Sequence, residues 1–139
     1  MNTKQSFKLP IHIDNSGQIL VTLTVAANNR SIDVDFKLDT GCNSVVLSRE
    51  TLEKLGVKTD AATMSKRAPI EASVADGSVV SFRQAGNVNL YSGRDGLGEI
   101  DVICHATHET RNLLGTSALH KFARYAINVK DYQYLELNI

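Results

Sequence analysis

The residues with the clearest chemical potential are Asp39, Thr40 and Gly41, which directly follow an apolar segment with the alternation of a strand. The aspartate can act as a general acid or base, the threonine hydroxyl can hold a turn, and the glycine permits tight backbone geometry. Hydrolysis by an aspartate pair needs two carboxylates that share one proton, because like charges about 3 Å apart cannot both ionise. The chain contains one Asp-Thr-Gly, so such a pair requires a second, symmetry-related copy of the chain.

Other interpretations of this region remain open. Aspartate, threonine and glycine are all favoured in ordinary connections between a strand and a turn. Cys42 could be a nucleophile, but no histidine can be paired with it from the sequence, and the chain has no Gly-x-Ser-x-Gly motif. Asp33 and Asp35 share one face of a strand, so we expect them to be solvated rather than to form a second catalytic pair.

Two further groups of residues suggest a bound metal or phosphate, and both signals are weak. Cys104, His105 and His108 are fewer donors than a structural zinc site needs, so we expect a solvated loop and no metal. The glycines between Gly93 and Gly98 lie between strands and open no long helix, so phosphate binding is not expected. The sequence therefore implies no metal and no organic cofactor.

The composition is that of one globular domain spanning residues 1–139. Hydrophobic residues make up 42% and charged residues 22%, and 15 basic residues balance 15 acidic ones. We therefore expect no nucleic-acid partner. No apolar run approaches the roughly 20 residues of a membrane span, and residues 1–10 do not resemble a secretory signal. We expect a soluble, cytoplasmic protein in which Cys42 and Cys104 are reduced thiols.

The segment before Asp39 is predicted to be a β-hairpin. Residues 18–26 alternate between apolar and polar side chains, and residues 31–38 do the same up to Leu38. Asn28 and Asn29 lie between them, and asparagine tolerates the left-handed backbone that a tight hairpin requires. This hairpin would deliver Asp39 to the end of its second strand.

The segment after the motif is predicted to contain a buried strand, a capped helix and a second hairpin. The strand covers 45–47, and the helix covers 49–55 with Ser48 as its N-cap and Gly56 as its stop. Strands at 69–74 and 78–82 would be joined around Asp76-Gly77, a strong turn signal.

The remaining elements are further strands and a second helix. Residues 87–91 and 99–104 are predicted strands joined by a turn over 93–98, Leu113-Leu114-Gly115 leads into a helix over 117–125, and strands at 126–129 and 134–139 close the chain. Pro10 and Pro69, the only prolines, are placed in connections. This pattern predicts a mainly β, closed barrel-like fold of short antiparallel strands with two short helices.

The order of these motifs resembles that of the retropepsin-like aspartic protease family, including its bacterial single-domain branch, from about Leu20 to the end of the chain. The resemblance implies an aspartic endopeptidase that is active as a homodimer on peptide or protein substrates. It implies that Asp39, Thr40 and Gly41 form the catalytic turn. It also implies that a flap with Ala75, Asp76, Gly77 and Ser78 covers the substrate, and that Leu113, Leu114 and Gly115 support the turn from beneath.

The sequence departs from the family pattern beside the catalytic turn. Cys42 stands where alanine or serine is common, and Asn43 stands where aspartate or serine is more usual. The segments 56–69 and 105–112 have no assigned counterpart. These departures leave a second hypothesis open, in which the chain keeps this fold as a binding or assembly module that does not turn over substrate.

Overall fold

The computed structural model describes residues 6–73, 77–122, 124–130 and 133–138. Within these ranges the chain forms ten strands and three short helices. In chain order they are β1 (Ser6–Ile13), β2 (Ile19–Ala27), β3 (Arg30–Leu38), β4 (Val45–Val46), α1 (Arg49–Lys54), α2 (Ala61–Ser65), β5 (Pro69–Ser73), β6 (Val79–Ser92), β7 (Asp95–His105), β8 (Leu113–Leu114), α3 (Thr116–Leu119), β9 (Arg124–Asn128) and β10 (Tyr134–Asn138).

Six of these strands close into a barrel. The order β6, β7, β4, β8, β3, β2 returns to β6 because β2 also pairs with β6. Four of the six neighbouring pairs are antiparallel, and two, β3 with β8 and β4 with β7, are parallel. The prediction of a mainly β, barrel-like fold of mostly antiparallel strands is confirmed, with these two parallel pairs included in the barrel. The strands β1, β10 and β9 extend the sheet from β2.

The alternating strands bury their apolar faces, and side chains from β1, β10, α1 and α3 are buried with them. The largest fully buried side chains are Phe36, Leu9, Leu47, Leu52, Leu55, Leu119, Leu135, Val21, Val25, Val45, Val46 and Val102. The period-2 patterns of β2 and β3 account for several of them, because every second side chain of a strand points to the same face. The predicted hairpin is confirmed, with Asn28 and Asn29 at φ 52° and 60°.

The first strand, β1, was not predicted. Phe7, Leu9 and Ile11 alternate as buried residues within it, but Pro10 suggested a connection. The N–H of Ile11 donates to the carbonyl oxygen of Gln133, beside β10, at 3.3 Å. Since neighbouring N–H groups of a strand point to opposite edges, the nitrogen of Pro10 faces away from β10 and no hydrogen bond of this ladder is lost.

The strand β6 is longer than predicted. Residues 78–82 and 87–91 were expected to be separate strands, but β6 runs continuously for 14 residues. Its register with β7 shifts between Gln84 and Gly86, where Gly86 has φ +96°. A bulge of this kind bends a strand without ending it. The predicted turn over 93–98 was also wrong, because only Gly93 and Arg94 form the turn and β7 begins at Asp95.

Three helices replace the two that were predicted. The first, α1, has the expected Ser48 cap, whose side chain accepts from the Thr51 N–H, but α2 was missed. The helix expected over 117–125 ends at Leu119, because Tyr125 pairs with Leu137 in the sheet instead. The described helices have six, five and four residues, too few for any of them to cross a membrane.

Candidate active site

Asp39 lies at the end of the barrel strand β3 and is tied to β8. Leu38 pairs in parallel with Leu114, and the Asp39 N–H donates to the Leu114 carbonyl oxygen at 3.0 Å. The side chain is half-buried and lines an open cleft. Strand pairing therefore sets the position of this carboxylate.

The turn that follows is closed by the carboxylate itself. The Gly41 N–H donates to Asp39 Oδ1 at 3.0 Å, and the Cys42 N–H donates to the Asp39 carbonyl oxygen at 3.1 Å. Thr40 is exposed, and its hydroxyl makes no hydrogen bond within the described ranges. Within a single chain, the backbone amide of Gly41 orients the carboxylate, and the Thr40 hydroxyl remains available.

Gly115 lies beneath this turn, in contact with its backbone. A Cβ atom at position 115 would lie 2.2 Å from the Ser44 carbonyl oxygen and 2.6 Å from that of Cys42. The next two amides, from Thr116 and Ser117, donate to the carbonyl oxygens of Cys42 and Asn43 at 2.9 and 2.8 Å. These N–H groups are free at the start of α3 because the first turn of a helix has no internal acceptors for them.

The cleft beside Asp39 has a volume of about 790 Å³ and is mainly apolar. Val46, Phe82 and Ile103 form a small buried cluster that is separate from the barrel core. The lining consists of Asp39, Gly41, Cys42, Asn43, Ser44, Val46, Ile70, Glu71, Ala72, Phe82, Ile103 and Leu113. Sequence reasoning missed the role of Phe82, because an apolar residue in a strand carries no local sign of which cavity it faces.

The hairpin of β5 and β6 forms one wall of this cleft. Ile70 and Ala72 line the cleft, and Ile70 pairs with Phe82 across the two strands. Of the expected flap residues, Gly77 and Ser78 are exposed, and Gly77 has φ +84°. Ala75 and Asp76 lie outside the described residues. The hairpin strands are therefore observed, and the proposed tip is described only at its second half.

The thiol beside the turn is less acidic than a free cysteine. Burial raises the pKa of Cys42, and the nearby Asp39 carboxylate raises it further, against the opposing effect of the Ser44 backbone. Cys42 Sγ donates to the Ser44 carbonyl oxygen at 3.3 Å. Both Cys42 and Cys104 are free thiols. The cleft therefore presents a neutral thiol rather than a thiolate nucleophile at neutral pH.

The loop 106–112, which had no assigned role, anchors α1. Glu109 accepts from the N–H groups of Arg49 and Glu50 at 2.6 and 3.0 Å, and Asn112 Oδ1 accepts from the Ser48 N–H at 2.7 Å. Although partial burial raises the pKa of Glu109, these backbone donors bring it below the usual value. The sequence indicated that the helix needs acceptors but could not identify residues 60 positions away.

Asp33 and Asp35, the other acidic pair noted in the sequence, form hydrogen bonds within a hairpin. Asp33 and Asp35 are exposed and accept hydrogen bonds from Thr24 and Thr22 at 2.7 and 2.6 Å across the β2–β3 hairpin. Among the residues that the structure describes, no three histidine, cysteine or acidic side chains are grouped to hold a metal ion. In the cleft, Asp39 lies beside a glycine turn, and Glu71 of β5 also contributes to the lining.

Comparisons with known proteins agree with this geometry. Residues 23–121 match the family model described as "gag-polyprotein putative aspartyl protease". A search of curated protein sequences gave no match. The structure is similar to the crystal structure of a retropepsin-like aspartic protease from Rickettsia conorii, with a TM-score of 0.62 and 19% sequence identity over 99% of this chain and 97% of that one. The fold is thus retropepsin-like.

Proposed function

This chain belongs to the gag-polyprotein aspartyl protease family, and from that premise we propose that it is an aspartic endopeptidase that acts as a homodimer. The observation that carries the proposal is the position of Asp39. Its carboxylate lies at a strand end, is oriented by the Gly41 N–H at 3.0 Å, and lines a cleft large enough for a peptide. Asp39, Thr40 and Gly41 would form the catalytic turn.

The proposed reaction uses Asp39 from each of two copies. One carboxylate acts as the general base on a water molecule, and the other, protonated, donates to the scissile carbonyl oxygen. Two such carboxylates would share one proton, because like charges about 3 Å apart cannot both ionise. Gly115, with Leu113 and Leu114, would hold the turn rigid beneath the pair.

The second copy is required because this chain carries one Asp-Thr-Gly. A two-fold axis beside the exposed Thr40 and Gly41 would bring the two turns together, and an exposed turn leaves room for this contact. The outer strand β9 pairs on one side only within the described chain. Tyr125 on this strand is 37% exposed and Val129 just after it is 52% exposed, so this edge also suits self-association. The formal net charge of zero opposes no such contact.

The proposed substrate is an extended peptide with apolar side chains near the scissile bond. A peptide in the cleft would pair with the backbone of the β5–β6 hairpin as an added strand. Its alternate side chains would contact the cluster of Val46, Phe82 and Ile103, together with Ile70 and Ala72, which pack against that cluster. The proposed flap residues Ala75, Asp76, Gly77 and Ser78 would cover the bound peptide.

The decisive experiment replaces Asp39 by asparagine and assays cleavage of a peptide library between pH 3 and pH 7. We expect Asp39→Asn to lower kcat/KM by at least about a thousandfold, with an unchanged circular dichroism spectrum. The matched control is Asp35→Asn. Asp35 lies on the same strand, but it is exposed, accepts a hydrogen bond from Thr22 and does not line the cleft. Undiminished cleavage by the Asp39 variant would refute the proposal.

A second measurement separates an enzyme from a binding module of the same fold. Light scattering would report the mass of the particle with and without a statine-type inhibitor, which mimics the tetrahedral intermediate. We expect a dimer that binds the inhibitor and loses this binding in Asp39→Asn. A monomer that does not bind the inhibitor would instead support the hypothesis of a binding module without catalysis.

A further inference from the structure

His105, the last residue of β7, holds the start of the loop 106–112. Its Nδ1 atom accepts hydrogen bonds from the Thr107 N–H at 3.1 Å and from the His108 N–H at 2.9 Å. We call residues 105–108 the His105 turn. Two backbone donors converge on one imidazole nitrogen, so the conformation of this turn depends on the protonation state of that nitrogen.

The chemistry of imidazole makes this dependence strict. Nδ1 can accept a hydrogen bond only in the neutral ring that carries its proton on Nε2. In the imidazolium form both nitrogens are donors, so a proton on Nδ1 would face the two N–H groups of Thr107 and His108. Protonation therefore exchanges two attractive contacts for repulsive ones and breaks the turn.

The His105 turn is connected to the cleft through Phe82. His105 pairs with Phe82 across β7 and β6, and the two rings meet edge to face with centroids 5.6 Å apart. The ladder continues into the loop, because the Ala106 N–H donates to the Ser81 carbonyl oxygen at 3.0 Å. Phe82 itself lines the cleft together with Asp39. A change in the position of the His105 ring would therefore affect Phe82, which forms part of the cleft wall.

The charged groups around His105 favour its neutral form. From α1, Arg49 Nη1 lies 3.5 Å from the His105 carbonyl oxygen, and from the loop the His108 ring lies 5.0 Å from the His105 ring. The loop carboxylate of Glu109 is bound to the amides at the start of α1. Burial lowers the pKa of His105 below its usual value, and His108 and Arg49 lower it further.

On the neighbouring strands, the described residues beside His105 are an apolar, a cationic and a thiol side chain. On β6, Phe82 is apolar, and Arg83, which pairs with Cys104 beside His105, donates to the Arg67 carbonyl oxygen at 2.9 Å. Burial raises the pKa of Cys104, so its thiol is neutral near pH 7. The groups that face His105 from α1, β6, β7 and the loop therefore disfavour a positive charge there.

We propose that His105 is a positioning residue of the cleft, which fixes the loop and the Phe82 wall while it is neutral and releases both when it is protonated. The catalytic consequence rests on the proposed peptidase function. The neutral form prevails near pH 7, and the release occurs as the pH falls below the ordinary histidine range. Substrate binding should then weaken, because a mobile Phe82 contacts the peptide less well.

The first test is the pH profile of KM and kcat for a peptide with an apolar side chain at the cleaved bond. In the wild type, KM should rise about three- to tenfold as the pH falls through the His105 transition, the scale of one or two lost hydrogen bonds. His105→Asn keeps an acceptor oxygen in place of Nδ1 but does not titrate, so its KM should stay flat. His105→Leu lacks the acceptor and should show the raised KM at every pH.

The matched control is His12→Asn, because His12 is an exposed histidine on β1, remote from the cleft. This variant should retain the wild-type rise in KM. A rise that persists unchanged in His105→Asn would overturn the proposal, and so would a KM in His105→Leu equal to that of the wild type at neutral pH.

The second test does not depend on catalysis. Nuclear magnetic resonance between pH 4 and pH 8 should show the Thr107 and His108 amide signals shifting with the same midpoint as the His105 imidazole, and this response should be absent in His105→Asn. If the two amide signals do not change as the His105 imidazole is protonated, the proposal that this turn responds to protonation is overturned. If the amides respond but no peptide is cleaved by the wild type, the peptidase proposal fails while the conformational role of His105 stands.

Discussion

The backbone of Gly115 presses against the carbonyl oxygen of Ser44, so closely that a Cβ atom at position 115 would lie 2.2 Å from that oxygen. The contact joins the entry of α3 to the segment that carries Asp39. Since the obstructing atoms belong to the backbone, no side-chain rotation can relieve the overlap. The stability of the Asp39 turn and the identity of residue 115 are therefore linked.

Gly115→Ala should disturb the Asp39 turn. Gly115 has φ −87°, which alanine adopts readily, so the cost arises from overlap alone. We expect the free energy of unfolding to fall by about 1–3 kcal/mol, and kcat/KM to fall about a hundredfold because a displaced turn misaligns the carboxylate. Urea denaturation and peptide cleavage would measure the two effects.

The matched control for that variant is Gly96→Ala. Gly96 lies exposed on β7, and an added Cβ would meet only the Tyr91 ring at an ordinary 3.6 Å. Both properties should remain close to wild type in this control. A Gly115→Ala protein that is as stable and as active as Gly96→Ala would contradict the close packing beneath the turn.

The reactivity of Cys42 should report the charge of Asp39. Burial and, to a lesser extent, the Asp39 carboxylate raise the pKa of the Cys42 thiol, so alkylation by iodoacetamide at pH 8 should be slower than for cysteine in an unfolded peptide. Asp39→Asn removes the negative charge and should speed alkylation at Cys42. Mass spectrometry of the alkylated peptides would measure this, with buried Cys104 as the internal reference whose rate should not change.

Glu109 should make stability depend on pH in the acidic range. Its pKa is lowered in the folded chain, so its contribution is complete above the unfolded value of about 4.5 and is lost as the pH falls through the folded pKa. We expect Glu109→Gln to cost about 1 kcal/mol in free energy of unfolding at pH 7, the scale of a lost helix cap. The difference from wild type should shrink at pH 3.

Urea denaturation at both pH values would check this expectation. Glu136→Gln is a suitable control, since this strand residue accepts no helix amides, and it should change stability little at either pH. A Glu109→Gln deficit of the same size at pH 3 and pH 7 would show that the carboxylate charge is not what anchors α1.

In the turn between β2 and β3, alanine and glycine at position 29 should have different effects on stability. Asn29 has φ 60°, a left-handed conformation that costs most residues about 1–2 kcal/mol. Asn29→Ala should therefore lower the free energy of unfolding by about 1 kcal/mol. Asn29→Gly should leave it unchanged or slightly raised, because glycine adopts this conformation freely. Thermal denaturation would rank the pair, and equal melting temperatures would contradict the assigned turn.

Local chemistry explains why parts of this fold could be predicted. The β2–β3 hairpin depends on alternation and on Asn28-Asn29, and α1 depends on Ser48 and Gly56, all of which act within a few residues. The predictions that were wrong concern segments whose structure depends on distant parts of the chain. Pro10 is accommodated in β1 because its nitrogen faces away from the partner strand β10. The helix after Gly115 is short because Tyr125 pairs with Leu137 of β10. Such partners are distant in sequence, so local patterns do not identify them.

The amino-acid sequence determined that one strand ends in a carboxylate, a hydroxyl and a glycine, and that chemistry with an aspartate pair would need two copies of the chain. Tertiary structure decided what surrounds this turn. It placed Thr116 against Asn43, 73 positions earlier, faced Phe82 toward the cleft, and set His105 behind it. Chain closure over such distances is decided by the packing of the whole barrel, because no short-range preference of any one segment is strong enough to choose its partner.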